Sequence, residues 1–156
     1  MTYPSGTLVR EAILADVETA LQGITGAGFR TQVDADNVYR LRGDNVVVLD
    51  AFPAIVIGTP RTVERDTVNG LVECDMTLVI RVAVHNREDP QGDLSYFLAD
   101  VRAALTSDVT RGGYARDTKI TSTDTYQTED GSAICAADAT VTIRYAHQYD
   151  DPTVPF

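Results

Sequence analysis

Strict alternation of apolar and polar residues marks the segment from Leu71 to His85. Every even position from 72 to 84 is apolar, whereas most odd positions carry polar or charged side chains. Side chains of a strand point alternately to opposite faces, so this period of two predicts a long strand with one buried face and one partly wet face. We expect the rest of the chain to pair with this strand or to cover its apolar face.

A second alternating segment lies near the C-terminus, from Ser132 to about Gln148, with apolar residues at the odd positions 133 to 145. The segment before it, Lys119 to Gln127, is rich in Thr and Tyr and predicts a more exposed strand. The turn-forming residues 129–131 lie between the two segments. Together they predict a closing hairpin.

Two segments have helical spacing instead. Apolar residues recur at helical intervals from Val9 to Ile24, with Thr7 as the expected N-cap and Gly23 as the stop. A second helix is predicted from about Asp93, a possible cap, to Leu105. Its apolar face consists of Leu94, Phe97, Leu98, Val101 and Leu105.

Shorter strands are predicted between the helices. Residues 38–41 and 46–49 flank turn-forming residues and suggest a hairpin or a close bend. Residues 54–58 and about 61–66 follow, and Asn69-Gly70 is a hairpin signal that leads into the long strand. We therefore predict one α+β domain over residues 1–156, in the order α-ββββ-α-ββ. Two helices pack on one face of a largely antiparallel sheet.

The ends of the chain carry prolines and are predicted to lie outside this domain core, as an arm over residues 1–6 and a tail over residues 150–156. No apolar run approaches the roughly 18 residues of a membrane span. The first residues also lack the basic and apolar regions of a secretion signal. We expect no contact with a membrane.

The chain is acidic, with 13 basic and 23 acidic residues and a net charge of −10. Such a surface repels phosphate, which argues against nucleic-acid binding through a basic patch. Solubility is the ordinary explanation of this charge. Repulsion of DNA would also suit a protein that DNA must slide past.

Candidate chemistry is sparse. His85 and His147 are the side chains that titrate near neutral pH when unperturbed, but they lack the spacing of a metal site. Cys74 and Cys135 fall on apolar strand positions, as expected for buried thiols. No GxSxG motif occurs, and the glycines of residues 23–29 follow a helix, unlike those of a phosphate loop. We expect no catalytic residue, no cofactor and no metal.

Three passages resemble the tail terminator, or tail completion, proteins of long-tailed bacteriophages. They are the opening helix LVREAILADVETALQGI with the later FPAIVIGTP, the strand and helix DMTLVIRVAVHNREDPQGDLSYFLADVRAALTSD, and the closing TVTIRYAHQYDDPTVPF. Together they cover most of the chain. The resemblance lies in the pattern of elements, and no single invariant motif carries it.

The resemblance implies a structural virion protein of the phage tail and neck, assembled in the host cytoplasm and without enzymatic activity. Its subunits would form a homo-oligomer, a hexameric ring on the last ring of the tail tube protein. That ring would stop tube polymerisation and provide the docking surface for the head-neck connector protein. Genomic DNA would pass through the channel without tight binding, since six copies would carry roughly −60 in total.

Ten residues are candidates for interfaces or for the channel lining. Val79 and Ala83 occupy the exposed phase of the long strand, where they either meet a neighbouring subunit or lie under the second helix. The acidic candidates lie in predicted loops or at strand ends; they are Asp34, Asp36, Asp44, Glu64, Asp66, Asp124, Glu129 and Asp130. The loop 106–117, the turn at Asn69-Gly70 and both chain ends either contact partners or are mobile.

Two other functions fit the same sequence. A different head-tail joining subunit, such as a neck connector, would share its acidic α+β character. A soluble ligand-binding or enzymatic domain would instead contain a pocket with convergent polar groups. In that last case, substitution of both His85 and His147 abolishes activity, whereas a tail terminator with both substitutions still assembles.

Overall fold

The computed structural model describes residues 6–42, 49–65, 69–86, 88–126 and 134–155. In chain order the elements begin with helix α1, followed by a short 3-10 helix, four strands, helix α2 and two further strands. Their bounds are α1 Val9–Gln22, the 3-10 helix Ala35–Asn37, β1 Val38–Arg40, β2 Ala54–Ile57, β3 Arg61–Glu64, β4 Leu71–His85, α2 Pro90–Thr106, β5 Asp117–Tyr126 and β6 Ile134–Gln148. This order and the α+β fold confirm the prediction.

The six strands form one sheet in the order β1-β2-β4-β6-β5, and β3 pairs with β4 beyond the end of β2. β4 and β6 are antiparallel over their whole length, from Leu71 opposite Gln148 to His85 opposite Ile134. All neighbouring pairs are antiparallel except β1 and β2, which are parallel. The alternating segments of the sequence are therefore the two central strands of the sheet.

The core lies between this sheet and the two helices, which pack on one face. The even positions of β4 and the odd positions of β6 point into it, together with Ile13 and Leu21 of α1 and Phe97 and Leu105 of α2. Cys74 and Cys135 are buried and free, as predicted. Within the described ranges, neither helix is long and apolar enough to cross a membrane.

Both helices begin at residues other than those predicted. α2 starts at Pro90, and its N-cap is Asp89, whose carboxylate accepts a hydrogen bond from the Gly92 amide at 3.0 Å. Proline is well tolerated at the first helical position, where its missing amide N–H would have no partner within the helix. Asp93 therefore lies inside the first turn and not at the cap. The N-cap position of α1 is Leu8 rather than Thr7, and no side chain caps it.

The C-terminal tail folds back onto its own domain. The carbonyl of Pro152 accepts a hydrogen bond from the Val9 amide at 3.0 Å, which satisfies a free donor at the start of α1. Pro155 bridges to His147, and the Gln148 amide donates to Val154. Residues 150–155 are thus held against the domain by backbone hydrogen bonds.

The predicted hairpin of residues 38–41 with 46–49 stays a prediction, because most of 46–49 lies outside the described residues; β1 itself runs parallel to β2. Within 46–49 only Leu49 is described, and it lies in no strand. The turn at Asn69-Gly70 is confirmed, since both residues have positive φ angles, 56° and 77°. The predicted turn at 129–131 lies outside the described residues, as do residues 1–5 of the arm.

Candidate functional site

One face of the sheet carries no helix. The register places the odd positions of β4 beside the even positions of β6, both pointing away from α1 and α2. Residues of β3 and β5 extend the same surface, for example Val63 opposite Asp75 and Asp124 opposite Asp138. We call this surface the helix-free face. It is an extended surface that the core does not use.

Ion pairs occupy one end of the helix-free face. Asp75 pairs with Arg144, with Nε and Oδ1 3.2 Å apart, and also with Arg65. Beside them, Arg116 donates to Glu73 at 2.8 Å. Burial acts to raise the pKa of Asp75, but its hydrogen bonds to the two arginines outweigh burial and hold this pKa below its ordinary value.

A second ion pair lies toward the other end of the face. Arg81 forms a bidentate ion pair with Asp138, with nitrogen to oxygen distances of 2.7 and 2.9 Å. The hydrogen bonds that Arg81 donates to the Asp138 carboxylate raise the pKa of Arg81. The ring of Tyr126 lies 5.4 Å from the Arg81 guanidinium carbon. A bidentate pair of this kind fixes the orientation of both side chains.

On the two central strands, the centre of the face between these charged ends is uncharged, with Arg61 and Lys119 beside it on β3 and β5. Its residues on the two central strands are Thr77, Val79, Thr140 and Thr142. Val79 is 40% exposed, which is high for a valine in the middle of a central strand. An uncharged centre flanked by charged ends is the usual distribution in protein interfaces.

The charges of the helix-free face nearly balance, unlike those of the whole chain. It carries six basic side chains, Arg61, Arg65, Arg81, Arg116, Lys119 and Arg144, and five acidic ones, Glu73, Asp75, Asp117, Asp124 and Asp138. Outside this face, the described residues include six basic and 14 acidic side chains. The negative charge is concentrated away from this face.

Three sequence-predicted residues lie on the helix-free face. Val79 and Asp124 are exposed, whereas Ala83 is 2% exposed between Ala54 and Ala136 of the neighbouring strands. Because the face is opposite the helices, neither Val79 nor Ala83 lies under α2. Ala83 offers little surface to a partner.

The other candidates are not brought together with these three. Asp34 and Asp36 are exposed before β1, and the Asp34 carboxylate accepts from the Asp36 amide at 3.0 Å as the cap of the 3-10 helix. Glu64 is exposed at the end of β3, on the opposite side of the sheet from Val79. The remaining four, Asp44, Asp66, Glu129 and Asp130, lie outside the described residues.

The segment 106–117 is anchored by a buried arginine that the sequence pattern did not reveal. Arg111 is 1% exposed and donates to the carbonyls of Leu105 and Asp108. Its Nη1 lies 3.2 Å from an Asp16 carboxylate oxygen on α1. Burial lowers the pKa of Arg111, and the two nearby aspartates, Asp16 and Asp108, oppose this effect. This segment ties α2 to α1.

A cavity of about 270 Å³ opens where β4 ends and α2 begins, with His85 and Asp93 in its wall. Asp93 accepts from the Asn86 amide at 2.6 Å, and His85 stacks on Phe52 with ring centres 5.9 Å apart. The described residues that line it include no Ser or Cys.

A different set of side chains meets at the far end of the core face. Glu64 of β3, Cys74 of β4 and His147 of β6 each place a ligand atom within 4.8 Å of the other two. Glu64 is directly opposite Cys74. His147 is opposite Val72, two residues before Cys74, and is therefore the diagonal neighbour of Cys74. Sequence spacing missed this set because only the strand register makes these residues neighbours.

No protein-family model matches this sequence, and no curated protein matches it. Among solved structures, the chain is similar to one described as "Virion of native gene transfer agent (GTA) particle". The two chains are 14% identical with a TM-score of 0.45, and the match covers 88% of this chain and 90% of that chain. We draw no functional conclusion from a similarity at this level.

Proposed function

We propose that this protein is a structural subunit of a phage virion that caps the tail tube. In this proposal its copies form a ring that stops tube polymerisation and provides the docking surface for the head-neck connector. The proposal starts from the sequence resemblance to tail terminators. In it, the protein acts through its contact surfaces and catalyses no reaction.

The helix-free face is the observation that supports this proposal most. A subunit with a net charge of −10 is repelled by its own copies unless the contact surfaces are locally neutral. On this face Arg81 with Asp138, and Arg144 with Asp75, are already paired within the subunit. The uncharged centre around Val79 can lose its water at low cost, and the paired charges form a rim.

A closed ring requires contacts between two different surfaces of the same subunit. We therefore assign the helix-free face to one side of each contact and a different surface of the next subunit to the other side. In this arrangement Val79 lies within the contact, and Asp124 lies on the same face toward its rim. Ala83 is buried and therefore takes little direct part in the contact.

The channel would then be lined by surfaces outside the helix-free face, where the negative charge is concentrated. Asp34 and Asp36 are exposed there and are our described candidates for the lining. A negative wall repels the phosphates of DNA, so the genome passes without adhering. A wall formed by the balanced helix-free face would lack this repulsion.

The test is to remove the gene from its phage and to examine tails by electron microscopy. We expect tubes of variable length that fail to join heads, because nothing stops polymerisation or offers the docking surface. Uniform, finished tails attached to heads would contradict the proposal. Uniform tails detached from heads would indicate a neck connector instead.

A further inference from the structure

The cluster of Glu64, Cys74 and His147 combines a carboxylate, a thiol and an imidazole from three different strands. We propose that it binds a divalent transition-metal ion of the zinc class, with the fourth coordination position open to the adjacent cavity. Carboxylate oxygen, thiolate sulfur and imidazole nitrogen are all ordinary zinc ligands. This site is on the opposite side of the sheet from the helix-free face.

The geometry requires only a small adjustment. In a tetrahedral site with bonds of about 2.0–2.3 Å, ligand atoms are about 3.3–3.7 Å apart. The three atoms here lie within 4.8 Å of one another. Cys74 is fixed in the core, whereas Glu64 is exposed at the end of its strand and can rotate toward the ion.

The histidine is oriented for coordination. Nδ1 of His147 lies 2.7 Å from the carbonyl oxygen of Gln148, an acceptor that requires this nitrogen to carry the proton. Nε2 then has a free lone pair and is the nitrogen available to a metal ion. A carbonyl that fixes the other ring nitrogen is the common arrangement around metal-bound histidines.

The charges of the bound state balance. An ionised Glu64, a Cys74 thiolate and a neutral His147 together neutralise one divalent cation, and the thiol proton passes to solvent. Arg10 lines the same cavity, but its guanidinium donates to the Pro60 carbonyl at 3.4 Å and lies 3.9 Å from Glu11. Burial raises the pKa of the Cys74 thiol, so without a metal it is not a reactive thiolate.

The cavity gives the ion access and a place for its fourth ligand. It has a volume of about 260 Å³, and Glu64, Tyr145 and His147 are in its wall. The phenol of Tyr145 in this wall is a hydrogen-bond neighbour of Cys74 and can donate to the thiolate sulfur. A cysteine that only filled the core would need neither the imidazole nor the carboxylate beside it.

The experiment titrates the chelator-treated full-length protein with Co²⁺, a spectroscopic substitute for zinc, and with Zn²⁺ in a calorimeter. We expect one ion per chain and an absorption band from charge transfer between the Cys74 thiolate and cobalt. Glu64→Gln, at an exposed position that does not endanger folding, should weaken Zn²⁺ binding about 10-fold or more. Cys74→Ala should remove the band, and His147→Gln should weaken binding about 100-fold.

Matched controls are Cys135→Ala, the other buried cysteine, and His85→Gln, the other histidine. Both should leave binding and the band unchanged. Absence of binding, a band that survives Cys74→Ala, or unchanged affinity in both Glu64→Gln and His147→Gln would overturn the proposal. These measurements use the isolated protein, so their outcome is independent of whether it caps tails.

Discussion

The two faces of the central strands are built from alternate residues of the same segments, yet they serve different purposes. On β4 the even positions 72 to 84 are no more than 6% exposed, whereas Val79 between them is 40% exposed. One face packs under two helices and stabilises the fold. Among the described residues no helix covers the other face, and most of its charges are paired, so exposed residues such as Val79 are free for contacts that folding does not require.

The largest difference between the faces should appear in two neighbouring residues of β4. Ile80→Ala removes a fully buried side chain and should lower the free energy of unfolding by about 2–5 kcal/mol. Val79→Ala removes a half-exposed one and should cost less than about 1 kcal/mol. Urea unfolding of both variants measures this. Equal losses would mean that the helix-free face also belongs to the core.

A smaller effect is expected from the Arg81–Asp138 pair. A double-mutant cycle with Arg81→Ala and Asp138→Ala should give a coupling energy of about 1 kcal/mol. The bidentate geometry strengthens the pair, whereas the half-exposed position of Arg81 weakens it. High salt should reduce this coupling. A coupling of zero in low salt would contradict the view that the charges of this face are paired within the subunit.

The smallest effect concerns Asp75 and pH. Its folded-state pKa lies below the ordinary 3.8, so the ionised carboxylate stabilises the fold above pH 3.8. That stabilisation is lost as the pH falls through the folded-state pKa. Wild type should therefore exceed Asp75→Asn in urea midpoint at pH 6, and the gap should close toward pH 2. A gap that is constant with pH would mean that Arg65 and Arg144 do not act on this carboxylate.

Much of this comparison could be predicted from the sequence, because burial of one side of a strand imposes a period of two on the order of apolar and polar residues. The alternation in residues 71–85 predicted both the strand and its buried face, and the bounds of β4 agree with it. Helical spacing likewise predicted α1 and α2. Their first residues were missed because Asp89, followed by Pro90, caps α2 in place of Asp93, and a backbone contact from Pro152 takes the place of a side-chain cap at α1.

Other features depend on which distant segments contact each other, and these contacts cannot be read from a single sequence. Arg111 looks like a loop residue until Asp16 of α1 is placed beside it. Glu64 was a channel candidate until the register set it opposite Cys74. The charge balance of the helix-free face was also hidden, since a count over the whole chain gives −10.

The most direct measurement places a charge at the centre of the helix-free face. Val79→Arg and its matched control Val109→Arg change two valines of similar exposure, 40% and 36%, on the helix-free face and in the turn after α2 respectively. Each variant is supplied to phage lacking the gene, and tails are measured by electron microscopy after thermal melting shows that both variants fold. We predict unfinished tails of variable length with Val79→Arg and uniform, head-joined tails with Val109→Arg. Normal tails with Val79→Arg would contradict the assignment of this face to the contact between subunits.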